Sequence, residues 1–205
     1  MRQMRRPMRS LPLRGLLPAL APLAMLAGCI SLGPKPPAEL LRLTPAEIAP
    51  ADSGEAVAAG RAVTVTYPLA PMELQATRVP VRSGQTTLAY VKDATWADTP
   101  AHLFRDLLAE TIRARTDRPV LDPRDYHLAP GLRLTGRIQQ FGLDADTTQV
   151  SMIYDATLQY PDGRIQTRRF TASAPAGAAT SAGVAPPLNT VANQVAQQVA
   201  DWLGR

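Results

Sequence analysis

The stretch Val150-Ser-Met-Ile-Tyr-Asp-Ala-Thr-Leu-Gln-Tyr160 decides the class of fold. Val150, Met152, Tyr154, Ala156, Leu158 and Tyr160 alternate with Ser151, Asp155, Thr157 and Gln159. A period of two puts these sets on opposite faces of a strand, one buried and one wet. Pro161-Asp162-Gly163 ends the run, and Asp-Gly suits a two-residue hairpin whose central residues both take positive φ. Arg164–Ala172 is therefore expected to return beside it as an antiparallel strand. Upstream, Leu132, Leu134 and Ile138 share one parity while Phe141 and Leu143 take the other, which predicts a strand bulged near Gln139-Gln140.

Outward from this hairpin, Thr99–Arg115 reads as a helix. Thr99 can cap it, Pro100 suits its first turn, and Leu103, Phe104, Leu107, Leu108 and Ile112 form one apolar stripe. Arg61–Tyr67 and Thr86–Lys92 alternate as strands, and Glu39–Leu43 is a candidate first strand. Thr44–Gly60 and Ala174–Pro187, rich in Ala, Pro and Gly, read as loops. Leu188, Val191, Val195, Val199 and Trp202 then give a single seam on a terminal helix over Leu188–Leu203. Strands, helix, strands and helix make an α+β fold with a largely antiparallel or mixed sheet and two main helices on one face.

The chain has 205 residues with 22 Lys+Arg against 17 Asp+Glu, a formal charge of +5. Arg2, Arg5, Arg6, Arg9 and Arg14 account for all of the excess, because the remainder balances at 22 − 5 = 17 bases against 17 acids. The net charge therefore gives no argument for a nucleic-acid partner. The single cysteine, Cys29, excludes an internal disulfide framework and a cysteine-built zinc site.

Residues 1–28 have the form of a secretory signal: the arginines, then the apolar run Gly15–Met25, then Leu26-Ala27-Gly28-Cys29. The run is too short to span a bilayer and is broken by Pro18 and Pro22. Leu26, Ala27, Gly28 and Cys29 resemble the bacterial lipobox, whose cysteine thiol receives diacylglycerol and becomes the new N-terminus. Acyl chains buried at roughly 0.8 kcal/mol per methylene would anchor the product. Ile30 stands where an Asp would retain a lipoprotein in the inner membrane, so the expected address is the periplasmic side of the envelope at the outer membrane's inner leaflet. Residues 29–37, with Gly33-Pro34-Lys35-Pro36-Pro37, then form a lipidated N-terminus and stiff tether. Residues 38–205 form one domain.

Little in the sequence carries chemistry. There is no nucleophile elbow, no His-Glu-x-x-His and no phosphate loop. His102 with Asp106 lies on a helix face that solvation explains equally well. Asp122, Asp125 and His127 sit in a turn context beside Pro123. No catalytic residue, metal site or cofactor is expected. The terminal helix is more informative: Asn189, Thr190, Asn193, Gln194, Gln197 and Gln198 make its polar side, with Asp201 its only charge. An amide-rich face suits packing against a second protein, including another copy of the chain, and compositional drift in an Ala-rich sequence gives the same pattern. Tyr67, Tyr90 and Trp96 are candidate apolar contacts with lipid, or ordinary core and rim residues.

Three further segments carry a resemblance: Arg78-Val79-Pro80-Val81-Arg82, Leu88-Ala89-Tyr90, and Ala94-Thr95-Trp96-Ala97-Asp98 directly before an amphipathic helix. With the closing segments Pro187-Leu188-Asn189-Thr190 and Ala200-Asp201-Trp202-Leu203, their order is similar to that of the ABC-type transport auxiliary lipoprotein family. The resemblance covers roughly residues 38–203 and the lipobox. It implies a non-enzymatic periplasmic lipoprotein that accompanies an ABC permease, an ATPase and a substrate-binding protein with a mammalian-cell-entry (MCE) domain, in moving lipid between the two membranes. The alternative is a structural or envelope-assembly outer-membrane lipoprotein that is not tied to an ABC transporter.

Overall fold

A computed structural model of the chain describes residues 39–51, 58–124 and 131–204. The signal sequence, the lipobox residues Leu26, Ala27, Gly28 and Cys29, the tether, Asp125 and His127 lie outside those residues.

The strand read first from the sequence is β6 (Gln149–Gln159), flanked by β5 (Leu132–Asp144) and β7 (Ile165–Pro175). All three pair antiparallel, and β5 shifts register between Ile138 and Gln140, where the change of parity placed a bulge. On β6, Val150, Met152, Tyr154, Ala156 and Leu158 are all buried. The other edge of β5 is shared. Its first residues pair parallel with β1 (Val63–Val65), which pairs parallel with β4 (Val120–Leu121). Its last residues pair parallel with β2 (Arg78–Ser83), itself antiparallel to β3 (Thr87–Thr95). Thus β5 is the spine of a mixed seven-stranded sheet.

Helices α1 (Pro100–Arg115) and α2 (Ser181–Leu203) pack against each other on one face. Phe104 of α1 meets Tyr154 edge-on at 5.1 Å between centroids, and Trp202 of α2 lies 5.6 Å from Phe170. On α1 Phe104, Leu107, Leu108 and Ile112 of the stripe are buried and Leu103 half-buried; on α2 Leu188, Val191, Val195 and Val199 of the seam are buried and Trp202 half-buried. The outer face of the sheet carries Arg137, Gln139, Asp155 and Arg169, joined as Gln139–Asp155 and Arg169–Asp155 hydrogen bonds of 2.6–2.8 Å. One face oily and one polar is what alternating strands require.

Four sequence expectations change. The segment Ala174–Pro187 is not a loop: β7 runs to Pro175, and α2 starts at Ser181, carrying Pro186 and Pro187 inside it. The Pro signal is overridden locally. Thr180 accepts at its hydroxyl from Gly183 N at 3.2 Å and so caps the helix. The Gly183 carbonyl, whose helical donor would be the missing N–H of Pro187, accepts from Gly177 N at 3.1 Å. A Cβ on Gly183 would lie 2.1 Å from the Ala178 carbonyl oxygen, so only glycine lets the incoming chain approach this closely.

The β6–β7 turn also differs. Gly163 alone takes positive φ (89°), and Gly163 N donates to the Tyr160 carbonyl while Tyr160 N bonds Arg164 O. That is a longer turn with glycine at its left-handed position, not a two-residue one. Glu39–Leu43 makes a single bridge, Leu41 to Trp96, in place of a strand. The strand expected over Arg61–Tyr67 shortens to β1, since Pro68 ends the ladder just beyond it.

Candidate functional site

The segment 39–49 is a strap laid across the two helices. Leu41 N donates to Thr95 O, Ala97 N donates to Leu41 O, and Leu41 and Leu43 sink into the core. Beyond them apolar anchoring stops and side-chain amides of α2 take over. Asn189 and Asn193 stand one helical turn apart on the same face. Asn189 Oδ1 accepts from Thr44 N at 2.8 Å, and Asn193 Oδ1 accepts from Ala46 N at 2.7 Å. Asn193 Nδ2 donates to Thr44 O at 2.9 Å and to Asn189 O at 2.9 Å, so a buried amide meets both halves of its hydrogen-bonding capacity. Further along, Ala49 N donates to Glu110 Oε1 at 2.9 Å. Arg115 of α1 bridges Glu47 of the strap at 2.6 Å and Asp201 of α2 at 2.9 Å. Bonding to Asp201 foremost, and to Glu47, raises the affinity of Arg115 for its proton.

Of the five amides on the polar side of the terminal helix, Asn189 and Asn193 thus hold the chain's own N-terminal segment. Gln198 Nε2 donates to the Thr171 carbonyl of β7 at 3.1 Å. Gln194 is exposed and Gln197 half-buried. The spacing of Asn189 and Asn193 marked one face; nothing local in 44–46 marked what would cover it.

The three aromatics part company. Trp96 is buried and stacked on Phe141 at 5.5 Å, with no partner for its Nε1. Tyr90 is half-buried with the Arg78 guanidinium 3.9 Å above its ring. Only Tyr67 opens to solvent, at 48% exposure, and it begins an apolar lip with Leu69 (61%) and Met72 (77%). The lip stands where the chain leaves β1 and runs past the middle of β5, with Leu69 N bonded to Gly136 O and Ile138 N to Leu69 O. Beside it lies an open cleft of about 310 Å³, walled by Pro68, Leu69, Ala70 and Leu74 and by Thr99, Ala101 and His102 of the α1 start. The lip was missed because Pro68 and Pro71 mark it only as a strand break.

His102 pairs with Asp98, one turn before it, at 3.1 Å, and not with Asp106, which instead meets Arg105 at 3.1 Å. Asp98 is held below the usual carboxylate range, first by the Thr99 backbone N–H and then by His102. Arg105 is nearly buried, donating to Val65 O at 3.3 Å and reaching Asp122 at 3.5 Å. Asp122 is lowered chiefly by the Arg124 side chain, 2.8 Å away. Among the described residues, no group of three His, Cys, Asp or Glu side chains is arranged to hold a metal.

Fold and site together define a class: a small α+β scaffold that clasps its own N-terminal segment across its helices and offers an apolar lip beside a shallow cleft. Residues 42–200 match the family model of the ABC-type transport auxiliary lipoprotein component, and the chain belongs to that family. Association with ABC transport systems and a membrane-associated place in the cell envelope follow at the level of the family. The fold is shared with a crystal structure of a Xanthomonas campestris protein of the DUF330 family, at TM-score 0.60 and 20% identity over 82% of this chain and 92% of that one. A second crystal structure, of an uncharacterized protein, gives TM-score 0.62 and 12% identity over 80% and 99%. The PelC dodecamer from Paraburkholderia phytofirmans gives TM-score 0.41 and 16% identity over 75% and 96%. No curated protein matches the chain.

Proposed function

We propose that the protein is a non-enzymatic, lipid-anchored auxiliary component of an ABC-type system that moves lipid between the inner and outer membranes, working with a permease, an ATPase and an MCE-domain substrate-binding protein. The observation that carries this reading is the strap. A chain expected to be acylated at Cys29 reaches the folded domain at Leu41, and its arrival is secured by Asn189, Asn193 and Arg115 on both helices. From Cys29 to Leu41 is 41 − 29 = 12 residues. At no more than ~3.6 Å per residue, the anchor holds the domain within roughly 43 Å of its bilayer. A load on the anchor is therefore met first by the Leu41 bridge to Thr95 and Ala97 and behind it by the helix pair, which leaves the lip at Tyr67, Leu69 and Met72 free to meet a partner. The domain acts by position and contact, and nucleotide chemistry resides in the ATPase. The expected place is the periplasmic side of the outer membrane.

The test is affinity purification of the tagged, acylated protein from membranes of its native host. Permease, ATPase and MCE subunits are expected to co-purify, and Leu69→Ser with Met72→Ser is expected to deplete them while leaving the fold intact. A purification containing none of the three overturns the reading. Incorporation of labelled palmitate, abolished by Cys29→Ser, tests the anchor separately, and labelling that persists in that variant removes it.

A further inference from the structure

The neutral balance of the chain beyond its leader hides a polarity along the strands. Because β1, β4 and β5 run parallel while β6 and β7 reverse direction in turn, the starts of β1, β4, β5 and β7 all lie at one end of the sheet. Arg61 precedes β1, Arg118 precedes β4, Arg133 is the second residue of β5, Arg164 precedes β7 and Arg168 is its fourth residue. With Arg124 just beyond β4, six arginines stand there, and the described carboxylates among them are Asp117, Asp122 and Asp162, a balance of 6 − 3 = +3. Arg61 donates to the Asp117 carbonyl and Arg118 to the Arg61 carbonyl, bonds that orient the guanidinium groups without neutralising them. Arg164 bonds Asp162 at 2.7 Å and also lies 4.6 Å from the Tyr160 ring centroid. The opposite end of the sheet, where β2 and β5 finish, sets Asp144 and Asp146 against Arg82.

The same arginine-bearing end exposes an apolar side chain. Ile165, at the hairpin tip between Arg164 and Arg168, is 63% exposed, and Tyr160 is half-buried beside it. Arginine forks match phosphate geometry, and an isoleucine flanked by them suits the boundary between headgroups and acyl chains.

We infer that this end of the sheet binds an anionic phospholipid surface, with the arginines on headgroup phosphates and Ile165 inserted among them. The inference deepens the proposed function by assigning which end of the anchored domain faces the bilayer. The leash does not dictate that choice. Its reach of roughly 43 Å equals the length of β5, thirteen residues at ~3.4 Å each. Charge complementarity does dictate it, because an approaching anionic surface attracts the arginine end and repels the aspartate end.

The experiment uses the chain from residue 30 onward, lacking leader and acyl group; the described strands and helices close one core without either. Co-sedimentation is measured with vesicles of phosphatidylglycerol and phosphatidylethanolamine, and with vesicles of phosphatidylcholine alone. Binding to the first is expected at low salt, weakening as salt screens it, with little to the second. Arg164→Gln with Arg168→Gln should lower the partition coefficient by roughly tenfold or more, at about fivefold per arginine, and Ile165→Ser should lower it further. Circular dichroism confirms that the variants fold, since all three side chains are exposed. No binding to the anionic vesicles, equal binding to both kinds, or binding unchanged in the double variant overturns the inference; capture of an acidic protein without vesicle binding does so in favour of that partner. Palmitate labelling and co-purification are untouched by any of these results, so the two readings fail separately.

Discussion

Replacing Asn193 with alanine removes the more buried of the strap's two amide attachments to α2. The side chain is 6% exposed and makes three hydrogen bonds, to Thr44 O, Ala46 N and Asn189 O. Each contributes about 1 kcal/mol net, so their sum sets an upper limit of ~3 kcal/mol. Two corrections lower it. The Asn189 carbonyl also belongs to the helical ladder, and alanine is the better helix former by roughly 0.5 kcal/mol. An expected loss of about 1–2.5 kcal/mol remains, which for a domain of this size lowers Tm by roughly 3–8 °C. Gln194, adjacent but exposed, is the control, and its alanine variant should stay within about 0.5 kcal/mol of the parent. Amide hydrogen exchange locates the effect. Leu41 and Leu43 remain buried in the core, so the Leu41 amide should keep its protection. The Thr44 and Ala46 amides, which lose or loosen their acceptors, should exchange at least ~10-fold faster. If Ala46 exchanges at the parental rate, or if the two alanine variants melt together, Asn193 is not what holds the strap and the load path assigned to it is wrong.

Three other perturbations follow from the packing. Gly183→Ala drives a methyl group into the Ala178 carbonyl at 2.1 Å and should unravel the first turns of α2, costing at least about 2 kcal/mol in urea titrations; a midpoint shift of only a few tenths of a kcal/mol would remove the close approach from the account of why α2 starts at Ser181. Trp96→Phe deletes a buried Nε1 that has no partner while keeping a ring against Phe141, so it should be near neutral. Trp96→Ala should cost ~3–5 kcal/mol, and equal costs for the two would contradict the core placement. Asp155 is held below its ordinary pKa first by Arg169, then by Gln139. A depressed carboxylate stabilises the fold above its unfolded pKa of about 3.9 and ceases to do so as pH falls through its folded value. Acid unfolding should therefore begin below pH ~4, with a shallower slope in Asp155→Asn, and an unchanged slope would mean the Arg169 pair contributes nothing.

The architecture was legible wherever one periodicity governed a segment. β6 is wet on one face and oily on the other, so its alternation survived to Leu158, and the parity change in β5 located its bulge before any partner strand was known. The terminal helix was half legible. Val191, Val195 and Val199 wrote a seam, but Pro186 and Pro187 concealed the turns before it, because their tolerance depends on Gly177 reaching back to the Gly183 carbonyl. Parallel pairing of β1 and β2 with the two halves of β5 left no local trace, since a two- or three-residue contact is too short to carry a period. The site was harder still. The lipobox expectation rests on four contiguous residues, Leu26–Cys29, which lie outside the described residues. Strap contacts join Thr44 to Asn189 and Ala46 to Asn193 across about 145 residues, and the amide face was read as open for want of that pairing. The arginine end is a product of strand direction alone, invisible in a charge count that sums to zero.

The strap and the arginine end answer to different physics, and this makes the attachment of the domain divisible. On the proposed reading the anchored strap is held by neutral amide bonds at the half-buried Asn189 and the buried Asn193, which respond little to ionic strength, while its Arg115–Glu47 pair is the part that salt screens. An arginine surface meeting phosphates weakens as the Debye length shrinks from about 10 Å at 0.1 M salt to about 3 Å at 1 M. Raising salt on the anchored protein should therefore leave it on the membrane yet release its orientation. If the domain works by contact, as proposed, orientation matters: with the arginine end toward the lipid, the lip at Tyr67, Leu69 and Met72 would be presented beside the bilayer from mid-height on the sheet, where a neighbouring subunit on the same surface could reach it. If partner capture survives high salt undiminished, contact does not depend on which way the domain faces, and the lip must be reachable from a freely turning leash.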